Sequence, residues 1–217
     1  MASIVLELQK DACSEDIDVA TLLRKAILIA TKLSIKDIID WVENELNGYS
    51  FNDTIPEYRK IPARLVADNP MRGYIPVEVI PDMAEQLERA TIRYPISQLQ
   101  DIRNEAQNKG KTAVQLALGS EAYHVLKRLY HTDFIFYQQI STNGIGRIID
   151  TVRNKILEWT LTLEKQGIKG EGLTFDREEE EIAQKNIQIY VNLINQQKGS
   201  INFQQGTTNS NQIDSKQ

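Results

Sequence analysis

Between residues 144 and 166 the apolar side chains Ile145, Ile149, Val152, Ile156, Trp159 and Leu163 recur at spacings of 4, 3, 4, 3 and 4. That rhythm places all six on one seam of a helix. The pattern predicts a long helix over 144–166 that Gly167 ends. It covers fewer than three heptads, so it fits a helix facing the chain's own core and leaves an intermolecular coiled coil open.

Residues 3–46 read as helices in close succession. Ile4, Val5 and Leu8 suggest a short first helix, and Asp18 is placed to cap a second that carries Leu22, Leu23, Ala26, Ile29, Ala30 and Leu33 on one face. Ser34 followed by Asp37 resembles a capping box for a third helix with Ile35, Ile38, Ile39, Trp41, Val42 and Leu46. Gly48 closes it in the left-handed conformation that glycine adopts cheaply. Links this short favour antiparallel packing.

The middle differs. All six prolines fall between Pro56 and Pro95, and β-branched residues become frequent. Strands are expected at 64–67 and 74–80, joined by the turn-rich Asn69–Gly73, with Pro62 and Pro76 marking edge positions. Short helices are expected at 82–90 and 96–108, a strand at 113–118, a helix at 120–130 and a strand at 133–140. The fold class is α+β and mostly helical: N-terminal antiparallel helices, a mixed middle with short strands, the long helix 144–166, then a C-terminal helix or strand and a polar tail.

After Gly170-Glu171-Gly172, Asp176 and Glu179 predict a capping box on an acidic helix. From Asn186 two periods coexist. Ile187, Ile189, Val191 and Leu193 alternate as in a strand, while Ala183, Ile187, Tyr190 and Ile194 keep helical spacing. Residues 199–217 are rich in Ser, Thr, Asn, Gln and Gly, with Ile201, Phe203 and Ile213 as their apolar residues. The segment is expected to gain order by β-pairing with another edge, mainly between molecules.

Composition narrows function. With 25 Lys and Arg against 30 Asp and Glu, the net charge of −5 argues against general nucleic-acid binding, which needs clustered cations. One cysteine, Cys13, excludes an internal disulfide, fits a reducing compartment and reads as a small hydrophobe. His124 and His131 lie seven apart, without metal-helix spacing. Gly144-Ile145-Gly146 lacks the rest of a phosphate loop and reads as a flexible helix start. Asp214-Ser215-Lys216, the one nuclease-like triplet, sits in the tail. No apolar run reaches membrane-spanning length and no basic leader opens the chain, so a cytoplasmic protein without membrane attachment is expected.

Two blocks carry a resemblance. Trp41-Val42-Glu43-Asn44-Glu45-Leu46-Asn47-Gly48-Tyr49, followed by Pro56-Glu57-Tyr58-Arg59, is similar to the N-terminal signature of the AbiTii family, bacterial proteins associated with abortive infection against phage. Val152-Arg153-Asn154-Lys155-Ile156-Leu157-Glu158-Trp159, with Gly167, Gly170, Gly172 and Phe175 beyond it, resembles the same family's helix and glycine-rich exit. The resemblance implies an α-rich domain over 1–176, with an extension at 177–198 and a tail at 199–217, and a role in phage defence.

It brings no catalytic residues, cofactor or metal. Trp41, Glu45, Gly48, Tyr49, Arg153, Asn154, Glu158, Trp159, Gly167, Gly170 and Gly172 read as fold determinants, with Arg153 and Glu158 expected to pair near Glu45 and Asn47. Self-association or contact with another defence protein is expected through Ile187, Ile189, Val191, Leu193, Ile201 and Phe203. The alternative is a nuclease or nucleotide-acting toxin built on Asp53, Glu57, Tyr58, Arg59 and Lys60.

Overall fold

A computed structural model describes residues 3–195. Its N-terminal unit is three helices, α1 (Ile4–Ala12), α2 (Val19–Lys32) and α3 (Lys36–Asn47). Asp18 caps α2 as its side-chain chemistry requires, accepting from the Thr21 amide at 2.9 Å. Ser34 does not cap α3. It takes φ 55° and closes α2 instead, with the Ser34 amide donating to Thr31 O at 3.1 Å and the Ile35 amide to Ala30 O at 2.9 Å. That is the Schellman pattern. The two helices lie so close that Ser34 can serve one end only, and Ile35 stands at the N-cap of α3 with no side-chain cap hydrogen bond.

A 3-10 turn at Glu57–Arg59 leads into β1 (Lys60–Asn69), and β2 (Gly73–Pro76), β3 (Arg89–Thr91), β4 (Ala113–Ala117) and β5 (Ile135–Ser141) complete an antiparallel sheet. The order is β2-β1-β5-β4, with β3 pairing the first residues of β1. Pro76 ends an edge strand as expected, but Pro62 lies in the interior strand. It is tolerated there because only β3 pairs at that point and the β5 ladder starts at Ala63. The short strand β3, unforeseen in the sequence, follows α4 (Pro81–Leu87) directly.

Register decides which side of the sheet is inside. Ala63, Leu65 and Ala67 of β1 stand opposite even-numbered residues of β5, including Ile140 and Phe136, and share one face with Ile61, which pairs with Ala90 of β3. On that face α7 (Thr142–Lys165) covers one end, while α4 and α6 (Ser120–Tyr130) cover the other, giving a main core and a smaller one around Leu65, Phe136, Leu126 and Leu87. The opposite face carries Arg64, Val66 and Asp68.

Helix α7 is the spine. Its seam residues Ile145, Ile149, Val152, Ile156, Trp159 and Leu163 are all buried, because α1, α2 and α5 (Ile96–Asn108) pack around them. The seam therefore faces the chain's own core and is not free for a coiled coil. Gly144 and Gly146 do not loosen the start of the helix. Both are buried, and an added Cβ would lie 3.1 Å from Ile61 Cδ1 or 3.2 Å from Arg103 Cζ. They let α7 approach β1 and α5.

The glycine-rich exit is tied down by Glu179, whose Oε1 accepts the Lys169 and Gly170 amides at 2.8 Å each. The same residue completes the expected capping box with Asp176 at the start of α8 (Arg177–Lys185). Residues 187–195 form α9 (Ile187–Asn195), which resolves the competing periods in favour of the helix. Burying Ala183, Tyr190 and Ile194 against α3 and α7 outweighs the strand-like alternation, and Ile189 is left 48% exposed. The tail expectations for Ile201, Phe203, Ile213 and residues 214–216 lie outside the described residues.

Candidate functional site: a buried carboxylate and guanidinium

On α3, Trp41 and Glu45 are one turn apart and share a face, and Tyr49 follows after Gly48. Glu45 is fully buried. A carboxylate cannot be left in an apolar core unpaired, so its position demands a cation and hydrogen-bond donors. The 3-10 turn delivers them. Arg59 Nη2 lies 2.6 Å from Glu45 Oε2 and Arg59 Nε 2.9 Å from Oε1, a bidentate pair. Oε1 also accepts the hydroxyls of Tyr49 at 2.7 Å and Tyr58 at 2.8 Å. Trp41 Nε1 then donates to Tyr58 Oη at 2.9 Å.

The remaining guanidinium nitrogen is satisfied by backbone. Arg59 Nη1 donates to Tyr94 O at 2.7 Å and Ile92 O at 3.2 Å. Gly48 makes this crossing possible, because the Tyr49 amide donates to Arg93 O at 2.8 Å and a Cβ on Gly48 would sit 2.8 Å from that same oxygen. Its φ is positive, 88°, but its ψ of 166° lies outside the left-handed helical region expected for it. Only glycine is comfortable there.

Lys155 of α7 completes the group. It is 5% exposed, its Nζ donates to Leu193 O of α9 at 2.8 Å, and it stands 5.5 Å from the Tyr58 ring centroid. Burial lowers its pKa below the ordinary lysine value, with the charges of Glu158 and Glu45 acting the other way. Burial also penalises the Arg59 charge, but the Glu45 charge and hydrogen bond and the two tyrosine hydroxyls together hold its pKa above the ordinary value. Tyr58 is pushed well above the tyrosine range, first by burial and then by the Glu45 carboxylate. Tyr49 is shifted upward for the same reasons.

This arrangement is closed. Glu45 Oε1 already accepts three donors and Oε2 one, with no exposed surface, so the carboxylate has no lone pair facing a substrate. A shallow cleft of about 300 Å³ borders the group between residues 47–50 and 93–95. Among the described residues no group of three His, Cys, Asp or Glu is placed to hold a metal ion.

The residues proposed for a nuclease-like site point apart. Asp53 accepts the Ser50 amide at 2.6 Å, and Glu57 pairs on the surface with Lys60 at 3.0 Å and with Arg89. Tyr58 and Arg59 turn inward to Glu45. Cys13 is exposed at the end of α1 instead of acting as a small core residue. His124 is exposed on α6 and His131 caps that helix in the left-handed conformation.

Arg153 does not meet Glu45. Its guanidinium donates to Ser14 O at 2.6 Å and to Ile17 O, holding the loop between α1 and α2 against α7. Arg59 and Lys155, the groups found beside Glu45, both lay within the quoted blocks. Asn154 and Glu158 are half-buried on α7. Gly167, Gly170 and Gly172 all have positive φ. The first quoted block builds the closed group, and the second supplies its lysine and the glycine-rich exit.

A family model, AbiTii, matches residues 3–188 of the 217. The chain belongs to the AbiTii family. The matched stretch runs from the first residue described through α8 into the first turn of α9, and so includes every member of the buried group. The family name points to abortive infection, a phage-defence response. No curated protein and no solved structure matches the chain.

Proposed function

We propose that this AbiTii chain is a noncatalytic module of abortive-infection defence that self-associates or holds another defence protein in the cytoplasm. The observation that supports this reading is the closure of the buried group. Glu45, Tyr49, Tyr58 and Arg59 of the first family block are spent inside the fold on one another and on backbone carbonyls, so what another molecule meets is the outer surface. The C-terminal segment, Asn186–Gln217, extends the contact.

Size-exclusion chromatography with light scattering, together with a pulldown of products of neighbouring genes, tests the reading. An oligomer or a captured component is expected. A strict monomer at micromolar concentration that captures nothing overturns it. Removing residues 199–217 should lower the oligomer state while leaving helical circular dichroism unchanged, which places part of the contact in the tail. Loss of protection in a phage challenge by the folded variant Glu57→Ala would favour an enzyme instead.

A further inference from the structure

Among the described residues, helices cover the sheet on one side only. On the other, Val66 of β1 stands opposite Tyr137 of β5 and Pro76 of β2, and Asp68 stands opposite Ile135 and Tyr74. The described helices that cover the sheet pack on the face of Leu65, Ala67, Phe136 and Ile140. Val66 is only 2% exposed yet packs into neither core. Its cover comes from its own face, where Tyr74 meets Tyr137 edge to face at 5.8 Å. Tyr74 and Ile135 are each 47% exposed. Beside the buried Val66, Tyr74 and Ile135 therefore present an apolar patch to solvent on either side of Asp68, and such a patch marks a contact surface.

The charges around that patch say what covers it. Arg64 and Asp68 lie on the same face of β1, four residues apart, so about 13 Å separates them along the strand. They cannot reach each other, and neither forms an ion pair with any described residue. Arg64 and Asp68 lie two residues to either side of Val66, while Lys60 and Arg89, farther along the Arg64 end of the same face, are already paired with Glu57. A two-fold rotation across β1 at Val66 exchanges the two ends, so the face is complementary to itself. A phosphate backbone would instead require clustered cations without the carboxylate.

We propose that this face is the contact between two copies of the chain, packed sheet on sheet with β1 antiparallel to its counterpart, so that Arg64 of each copy meets Asp68 of the other. The inference rests on the self-association reading above and gives it a surface. Face-to-face sheets pack about 10 Å apart with their side chains interleaved. Four strands about 4.8 Å apart and about 20 Å long give a patch of about 400 Å² in plan, below the roughly 800 Å² per partner of a standard stable interface. The dimer is therefore weak and concentration-dependent, which suits a module that assembles when it accumulates locally.

Sedimentation velocity on the full chain, over a range from about 1 to about 100 µM, tests this with charge exchange. Arg64→Asp and Asp68→Arg should each weaken dimerisation about tenfold by setting like charges against each other. The double variant Arg64→Asp/Asp68→Arg should restore it. Ile135→Glu, at an exposed position, should abolish it with unchanged circular dichroism. Self-association that ignores all four variants overturns this inference and leaves the self-association reading standing. Two weakened single variants without rescue in the double overturn the two-fold register. A monomeric wild type overturns the inference, and if it also captures no component in the pulldown the broader reading falls with it. Retention of a single-stranded oligonucleotide by a monomer, lost in Arg64→Asp, assigns the face to nucleic acid and overturns the proposal.

Discussion

Between α3 and the turn before β1, a carboxylate and a guanidinium are sealed together, whereas on the outer face of the sheet Arg64 and Asp68 share one strand with no ion pair among the described residues. The first pair has had its water replaced by two tyrosine hydroxyls and two backbone carbonyls. The second keeps its water. Taking ions out of water costs several kcal/mol each, so a chain can hold a buried pair only with complete coordination, and the coordination then closes it to other molecules. Exposed charges cost little and contribute little to stability, and they remain available to another molecule. In this chain the conspicuous ionisable cluster is sealed inside the fold, and the less conspicuous face is where recognition is proposed.

The strongest way to break that comparison is to remove one member of the sealed pair. Glu45→Ala leaves Arg59 charged and buried, and should lower stability by about 3–5 kcal/mol in urea unfolding. Replacing both, Glu45→Leu with Arg59→Met, should lose much less, since no stranded charge remains. If the single and double variants fall equally, shape and not charge pairing accounts for the loss.

Alkaline pH sharpens the comparison at intermediate size. Tyr49 and Tyr58 are raised above the ordinary tyrosine value of 10.0, and burial pushes Tyr190 up to about 12. In the unfolded chain these phenols lose their protons near pH 10, while the folded chain keeps them. Their contribution to stability is therefore fully present below about pH 10 and is lost as pH rises from there through the raised folded values, about 12 for Tyr190. Tyr49→Phe/Tyr58→Phe should flatten the decline of urea midpoints between about pH 9 and 11, even though Trp41 Nε1 loses its acceptor and the absolute stability drops. An unchanged slope would mean that other groups set the alkaline limit.

The smallest effect belongs to the open face. Arg64→Ala, measured at concentrations where the chain is monomeric, should change stability by less than about 0.5 kcal/mol. A loss well above that would show that Arg64 serves the fold, and the contrast between sealed and open charges would fail at its open end.

The helices were readable because their cause is local. Asp18 as a cap, the α7 seam and the Asp176–Glu179 box each depend on residues within a few positions of one another. Ser34 shows the limit of local reading, since it satisfies the chemistry of a cap and was used to end α2. The strand-like alternation at 187–193 was equally genuine as a pattern, and it lost because α3 and α7 offered a surface to the helical face. Within the site, Glu45 was read as a fold determinant with Arg153 and Glu158 expected beside it, whereas the cation that meets it is Arg59 and Arg153 holds the loop between α1 and α2.

By itself the sequence determined the helical periods, the punctuation by Pro and Gly, most strand positions and membership of a family, because each follows from residue chemistry at short range. Tertiary structure decided which cation meets Glu45, which face of the sheet stays uncovered, and that the α7 seam is consumed internally. Those outcomes join residues far apart in sequence, and short-range spacing holds no information about which distant segments the core brings together. The register of β1 against β5 is the clearest case: a slip of one residue would turn Arg64 and Asp68 into the core and Leu65 onto the outer face.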